Sequence, residues 1–311
     1  MADEIHLPSG FTMKDLVAYG NTGLVLLDSS TDTVVKASPD GETSDSTAVE
    51  QQIYERFVQR GGHKGILIYH GTFEWGIRLE HASHGNIRSY LENHPADELR
   101  KMRWAVQVAE ALDFAHQCGV IHGDVNGFNV LLDRRLEAKL ADFAGSSLDG
   151  SSLLIGVTAS HERPGPLLCA EDDIFALGST LYELMNESRP YAGLSDTAIA
   201  QRYKRGEFAE TESLGIVGGI IKKCWQGGYK ECRQVVRDLK GDISLSPSII
   251  VLEFATDTST AARQSALTLN SNITGPAKST SAHTIIAVAT IVVVVASVFV
   301  KLRLSRAHQA S

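Results

Sequence analysis

The chain holds little of what would mark a disulfide-framed, zinc-binding or nucleic-acid-binding protein. Four cysteines (Cys118, Cys169, Cys224 and Cys232) are scattered over 311 residues without a CxxC or Cys/His pairing. Neither a zinc site nor a disulfide framework is indicated, and buried reduced thiols in a cytosolic compartment are expected. Positive charge is scarce as well: 29 Lys and Arg stand against 37 Asp and Glu, a net charge of -8. That balance argues against a nucleic-acid partner, because phosphate backbones attract basic surfaces. The N-terminal Met-Ala-Asp-Glu-Ile-His lacks the basic region and apolar run of a secretory signal. No repeat recurs at a fixed period. What remains is ordinary: 43% apolar and 21% charged residues can bury a core, and the length suits one large domain plus a tail.

Three regions separate along the chain. Up to about residue 245, strand and helix signals alternate with short turns. Leu16-Val17-Ala18-Tyr19, then Gly20-Asn21-Thr22-Gly23, then Leu24-Val25-Leu26-Leu27 read as strand, turn and strand. Thr33-Val34-Val35-Lys36-Ala37 is a third strand, and 66–69 and 75–79 suggest two more. Residues 47–58 suit a helix, with Val49, Ile53, Phe57 and Val58 recurring near the helical period. The segment 99–119 is the clearest helix: Val108, Ala111, Leu112 and Ala115 share a stripe, and Gly119 sits where a helix end wants a left-handed residue. Loop–strand pieces follow at 121–132 and 138–143, then a largely apolar helix at 173–185. Strands gathered early and helices late indicate an α+β arrangement. Residues 246–283 are rich in Ser, Thr and Asn and read as a flexible linker. Residues 284–300 carry no charge, are apolar all round, and are just long enough to span hydrocarbon, with Lys301, Arg303 and Arg306 flanking them.

Phosphoryl transfer from a nucleotide needs a phosphate cover, a cation on the phosphates, ligands for Mg²⁺ and a base for the acceptor. Gly20 and Gly23 could let backbone approach phosphates with Val25 over an adenine ring, although a plain hairpin turn explains two glycines equally. Lys36 lies on an apolar strand, where its side chain either points into a site or snorkels to solvent. Glu50, on the next helix, could pair with it or face water. The segment His122-Gly123-Asp124-Val125-Asn126-Gly127-Phe128-Asn129 sits between a helix and a strand. It sets Asp124 to accept a hydroxyl proton and Asn129 to bind Mg²⁺. Asp142-Phe143 follows a later strand and offers a second metal ligand. Any one of these can be an Asx turn or a helix cap; all of them, in this order and spacing, have no such plain explanation.

These motifs resemble the set found in eukaryotic protein kinases, from about Gly10 to Lys240, and more narrowly the short divergent ones common in fungi. The resemblance implies a bilobal fold with a small β-rich N-lobe and a large helical C-lobe over 10–245. The linker (246–283), a transmembrane helix (284–304) and a short basic tail (305–311) follow. It implies ATP and Mg²⁺ as cofactors and a protein substrate or scaffold partner. Lys36 matches the phosphate-binding lysine, Glu50 its helical partner, Asp124 the catalytic aspartate, and Asn129 and Asp142 the metal ligands. Leu79-Glu80-His81-Ala82 is similar to the hinge that binds adenine, which adds Glu80 and Ala82 to Gly20, Gly23 and Val25 around the nucleotide. Ser160-His161-Glu162-Arg163-Pro164 stands at the activation-segment end, so Glu162 is the implied buried acid and Arg233 its partner. Asp173-Ile174-Phe175-Ala176-Leu177-Gly178 is similar to the family's buried central helix.

Departures accompany the matches. Gly123 replaces the arginine before the catalytic aspartate, which removes the usual docking cation for a phosphorylated activation loop. Asn126 stands where serine/threonine kinases carry a lysine, a loss that costs on the order of a hundredfold in rate. Ala144 replaces the glycine after Asp142-Phe143. An active protein kinase therefore competes with a membrane-tethered pseudokinase and with a small-molecule phosphotransferase. A tail anchor would place the domain in the cytosol, at the endoplasmic reticulum or the mitochondrial outer membrane, with a lipid bilayer as partner.

Overall fold

Short apolar strands joined by tight turns build the first lobe. β1 (Leu16–Gly20) and β2 (Gly23–Asp28) pair antiparallel with Gly20 opposite Gly23. β3 (Thr33–Ala37) pairs with β2 and is buried along its whole length. A helix, α1 (Asp45–Gln59), follows; Ser44 caps it by accepting the Thr47 N–H at 3.2 Å. β4 (Tyr69–Phe73) and β5 (Gly76–Glu80) complete an antiparallel sheet of order β1-β2-β3-β5-β4. The strand expected at 66–69 starts only at Tyr69. Before it, the Gly65 carbonyl accepts the Leu140 N–H at 2.7 Å, and Ile66 and Leu67 turn inward as core residues.

The second lobe is helical. It contains α2 (Ile87–Asn93), α3 (Glu98–Gln117), short strands β6 (Val120–Ile121), β7 (Val130–Leu132), β8 (Ala138–Leu140) and β9 (Ser147–Leu148), then α4 (Ala170–Asn186), α5 (Asp196–Lys204), α6 (Gly215–Trp225) and α7 (Cys232–Leu245). Asp97 caps α3 by accepting the Arg100 N–H at 2.7 Å, and Gly119, at φ +78°, takes the left-handed conformation just after its end. Trp104, Ala105, Ala111 and Leu112 on α3 are fully buried, as are Phe175, Leu177 and Leu181 on α4. α4 packs hard against α6: a Cβ at Gly178 would lie 2.6 Å from Cys224 Cβ, so only glycine admits that approach. The result is a bilobal α+β protein with a β-rich small lobe and a helical large lobe. All four thiols are free, and three are buried; Cys169 is only half-buried, because it stands at the start of α4.

The computed structural model describes residues 5–20, 23–154, 156–165 and 169–245, without the side chains of 242–245. The expected linker, transmembrane helix and basic tail (246–311) lie outside the described residues. Among those described, no helix is long and apolar enough to cross a membrane.

Candidate active site

Strand register decides where Lys36 points. Val25 pairs with Lys36 across β2 and β3, and Lys36 pairs with Ile77 of β5, so these side chains share one face of the sheet. Lys36 is buried, and its Nζ lies 2.8 Å from Glu50 Oε2 and 2.5 Å from Asp142 Oδ1. Burial works against the ammonium, yet the carboxylates of Glu50 and Asp142 beside it hold its pKa above the ordinary lysine value. Glu50 is 1% exposed, and its other oxygen, Oε1, accepts the Phe143 N–H at 3.0 Å. One α1 carboxylate thus binds a strand of the small lobe and the Asp142-Phe143 turn together. Phe143 is itself fully buried, 5.7 Å from Tyr54, 5.1 Å from Phe57 and 4.8 Å from His122 between ring centroids. Asp142 adopts φ +64°, a conformation that a non-glycine residue keeps only when its surroundings impose it.

The segment after α3 is fixed from below by α4. Asp173 accepts the His122 N–H at 2.7 Å and the Gly123 N–H at 2.8 Å, and it meets His116 Nε2 at 2.8 Å. Burial opposes its charge, but the hydrogen bond and positive potential of His116, with help from His122 and Gly123, hold its pKa below the ordinary carboxylate value. His122 Nε2 reaches the Ala141 carbonyl at 3.0 Å, tying this segment to the residue before Asp142. Asp124 projects from the fixed segment. Asn126 Nδ2 donates to its Oδ1 at 2.8 Å, and Asn129 Nδ2 donates to its Oδ2 at 2.9 Å and to its carbonyl at 2.8 Å. Burial nevertheless raises the Asp124 pKa, and the charge of Asp142 adds to the rise.

These groups suit a magnesium nucleotide. Asn129 spends its N–H donors on Asp124, which leaves the amide oxygen as its acceptor for a cation. Together with the Asp142 carboxylate it makes the sparse protein ligand set that Mg²⁺ takes when phosphates and water supply the rest. Among the described residues no group of three or more His, Cys, Asp or Glu side chains is placed to hold a metal alone. Gly23, at φ +134°, lies so close to β3 that a Cβ there would sit 2.5 Å from the Ala37 carbonyl oxygen, whereas Gly20 is exposed with open space about it.

A family profile described as "Protein kinase domain" matches residues 28–239. The chain belongs to the protein kinase family. It is 25% identical to the mouse megakaryocyte-associated tyrosine-protein kinase over 193 residues, 58% of this chain and 37% of that protein. It is 30% identical to the rat NUAK family SNF1-like kinase 2 over 177 residues, 51% and 28% of the two chains. Against the serine/threonine-protein kinase PknB of Mycolicibacterium smegmatis it is 28% identical over 142 residues, 42% and 23%. The matches thus span well under half the length of these curated relatives.

Within this kinase domain one expected pairing is absent, and the residues expected at the hinge have these contacts. The Glu80 Oε2 accepts the Ile68 N–H at 3.1 Å and lies 3.2 Å from Lys139 Nζ, and the Glu80 N–H donates to the Ile68 carbonyl at 2.8 Å. Ala82 is partly buried against the core, and its carbonyl accepts the Gly85 N–H at 3.0 Å. The expected buried pair of Glu162 and Arg233 does not form. Glu162 is exposed, and Arg233, at the start of α7, reaches back to Glu231 at 2.5 Å. An ion pair does tie this segment to α4, but through the next residue, with Arg163 Nε 2.5 Å from Asp172 Oδ1. Gly123 adopts φ +78°, and Leu153 fills the space that a side chain there would need. Sequence reasoning also missed Asn126 as a holder of Asp124, having counted it only as a lost lysine. It passed over Asp173 too, although an acid opening an apolar helix is a signal that a buried carboxylate must find partners.

Proposed function

We propose that the chain is an active protein kinase that transfers the γ-phosphate of ATP to hydroxyl groups of protein acceptors. The observation that carries this reading is the joint set Lys36–Glu50–Asp142, paired and buried, beside an Asp124 held at both oxygens by amide donors. Lys36 would cradle the phosphates, with Glu50 fixing its ammonium. Val25 on the sheet face and the main chain of Glu80 and Ala82 would flank the base. Asn129 and Asp142 would hold Mg²⁺, which supplies charge neutralisation on the phosphate oxygens. Asp124 would orient the acceptor hydroxyl and take its proton. Asn126 supplies no charge to the transferring phosphate, so turnover is slower than with a lysine there. That same residue favours a second reading, a pseudokinase that binds nucleotide without transfer.

Residues 284–304 are proposed to tether the domain to a membrane on its cytosolic side. The uncharged, largely Ile, Val and Ala run 284–300, followed by Lys301 and Arg303, supports this.

The test is transfer of labelled γ-phosphate to protein acceptors by the full chain in detergent or vesicles, beside Lys36→Met and Asp124→Ala. Transfer that both substitutions abolish is expected. Nucleotide binding without any transfer would favour the pseudokinase. Release of the protein from washed membranes without deletion of 284–304 would refute the tether.

A further inference from the structure

A further charged group contacts the segment that follows Asp124 and takes no part in the chemistry above. Arg88, near the start of α2, donates its backbone N–H to the Gly127 carbonyl at 3.3 Å. Its Nη1 lies 3.2 Å from Glu183 Oε1, and its Cζ sits 4.7 Å from the ring centroid of Phe128. Phe128 is one residue before Asn129 and is 53% exposed, a large apolar side chain left at the rim of the site. Glu183 is buried on α4 and also accepts the Gly127 N–H at 3.2 Å. His161 is buried on its other side, with Nε2 3.7 Å from Glu183 Oε2.

The local charge follows from these contacts. Burial, then the fields of Arg88 and Arg189, push the His161 pKa down to about 3, so this imidazole is neutral at physiological pH. Burial raises the Glu183 pKa, while Arg88, the Gly127 N–H and Arg189 favour its charge. Glu183 already has a cation from its own chain and is not open to one from an acceptor. The accessible rim is cationic and aromatic.

We propose that Arg88 determines acceptor specificity, selecting protein segments that carry acidic side chains close to the phosphorylated hydroxyl. The inference rests on the kinase reading and deepens it. An acid in the acceptor meets an Arg88 guanidinium that is already fixed by Glu183 and Phe128, so little side-chain freedom is lost on binding. A basic acceptor meets repulsion from Arg88 and finds Glu183 already paired with it.

The experiment is transfer by the full chain to a peptide library with a central Ser, Thr or Tyr and acidic or basic residues at each flanking position. Acidic flanks should raise kcat/KM by about tenfold, the effect of one partly desolvated charge pair, and the advantage should fade with added salt. Glu183→Gln keeps the side-chain shape and removes the opposing charge, so acid preference should deepen; Arg88→Gln should flatten it, and Arg88→Lys should restore most of it. A preference for basic flanks that Glu183→Gln abolishes would overturn the proposal and make Glu183 a receptor for acceptor cations. Equal use of acidic and basic peptides by the unaltered chain also overturns it, with no variant required. Failure of the unaltered chain to phosphorylate any library member, Asp124→Ala serving as blank, would instead remove the kinase reading itself.

Discussion

Replacing Lys36 with methionine separates what the buried ion pair does for the fold from what it does for transfer. Glu50 is 1% exposed, with Lys36 Nζ at 2.8 Å on one oxygen and the Phe143 N–H at 3.0 Å on the other. Methionine fills a similar volume but leaves the carboxylate without its cation, facing the charge of Asp142. Removing one partner of a buried pair costs about 3–5 kcal/mol. The Asp142 side chain is 32% exposed, so water relieves part of this, and the low end, about 3 kcal/mol, applies. In a domain of this size that lowers Tm by about 6–12 °C. Adding Glu50→Gln removes the uncompensated charge and keeps an acceptor for Phe143, so most of the loss returns, while transfer stays absent from both variants. The deficit in Lys36→Met also has a pH sign. Burial raises the folded-state pKa of Glu50; stability is therefore regained as pH falls and the carboxyl protonates, and lost as pH rises. Thermal unfolding followed by the buried Trp104, beside a γ-phosphate transfer assay, reads both effects. A Lys36→Met protein as stable as the unaltered chain, or a double variant no more stable than the single one, would refute the reasoning.

Three further outcomes are expected. Because burial raises the Asp124 pKa and a base must be ionised to work, the acid limb of kcat/KM should lie above the ordinary carboxylate range. Asn126→Ala should move that limb higher still, and a limb near the unperturbed aspartate value would contradict both statements. Asp173→Asn, which weakens charge-assisted bonds to His122, Gly123 and His116, should cost about 3 kcal/mol in urea unfolding. It should also lower kcat by about a hundredfold as the Asp124 segment shifts. Gly123→Ala places a side chain at φ +78° against Leu153 and should destabilise by about 2 kcal/mol; Gly123→Arg should be no better, since the same leucine stands in its way.

Local pattern made most of the architecture legible. The apolar stripe of α3 and the glycine after it, the three early strands and the helix bearing Glu50 all lie where periodicity and turn residues put them. Order and spacing also announced which polar residues gather in one cleft, because each follows a helix or strand that fixes its reach. What was not legible depends on contacts between distant segments. The 66–69 stretch is apolar enough for a strand, but a hydrogen bond from Leu140 draws its start into the core. The resemblance pointed to Glu162 and Arg233, whereas the pairing that forms uses Arg163 and Asp172, the latter in the first turn of α4. Asn126 and Arg88 could not be read alone: one looks like a missing charge until its bond to Asp124 is seen, the other like a surface arginine until its contacts with buried Glu183 and the exposed Phe128 ring are seen.

The most direct measurement compares magnesium-ATP binding with γ-phosphate transfer in the unaltered chain and in Asp124→Asn. If Asp124 serves as the base in a site assembled by Lys36, Glu50, Asn129 and Asp142, the two proteins bind nucleotide alike and the variant transfers at least a hundredfold more slowly, in the range general base catalysis contributes. Transfer undiminished by Asp124→Asn, or an unaltered chain that binds nucleotide and never transfers it, would contradict that assignment.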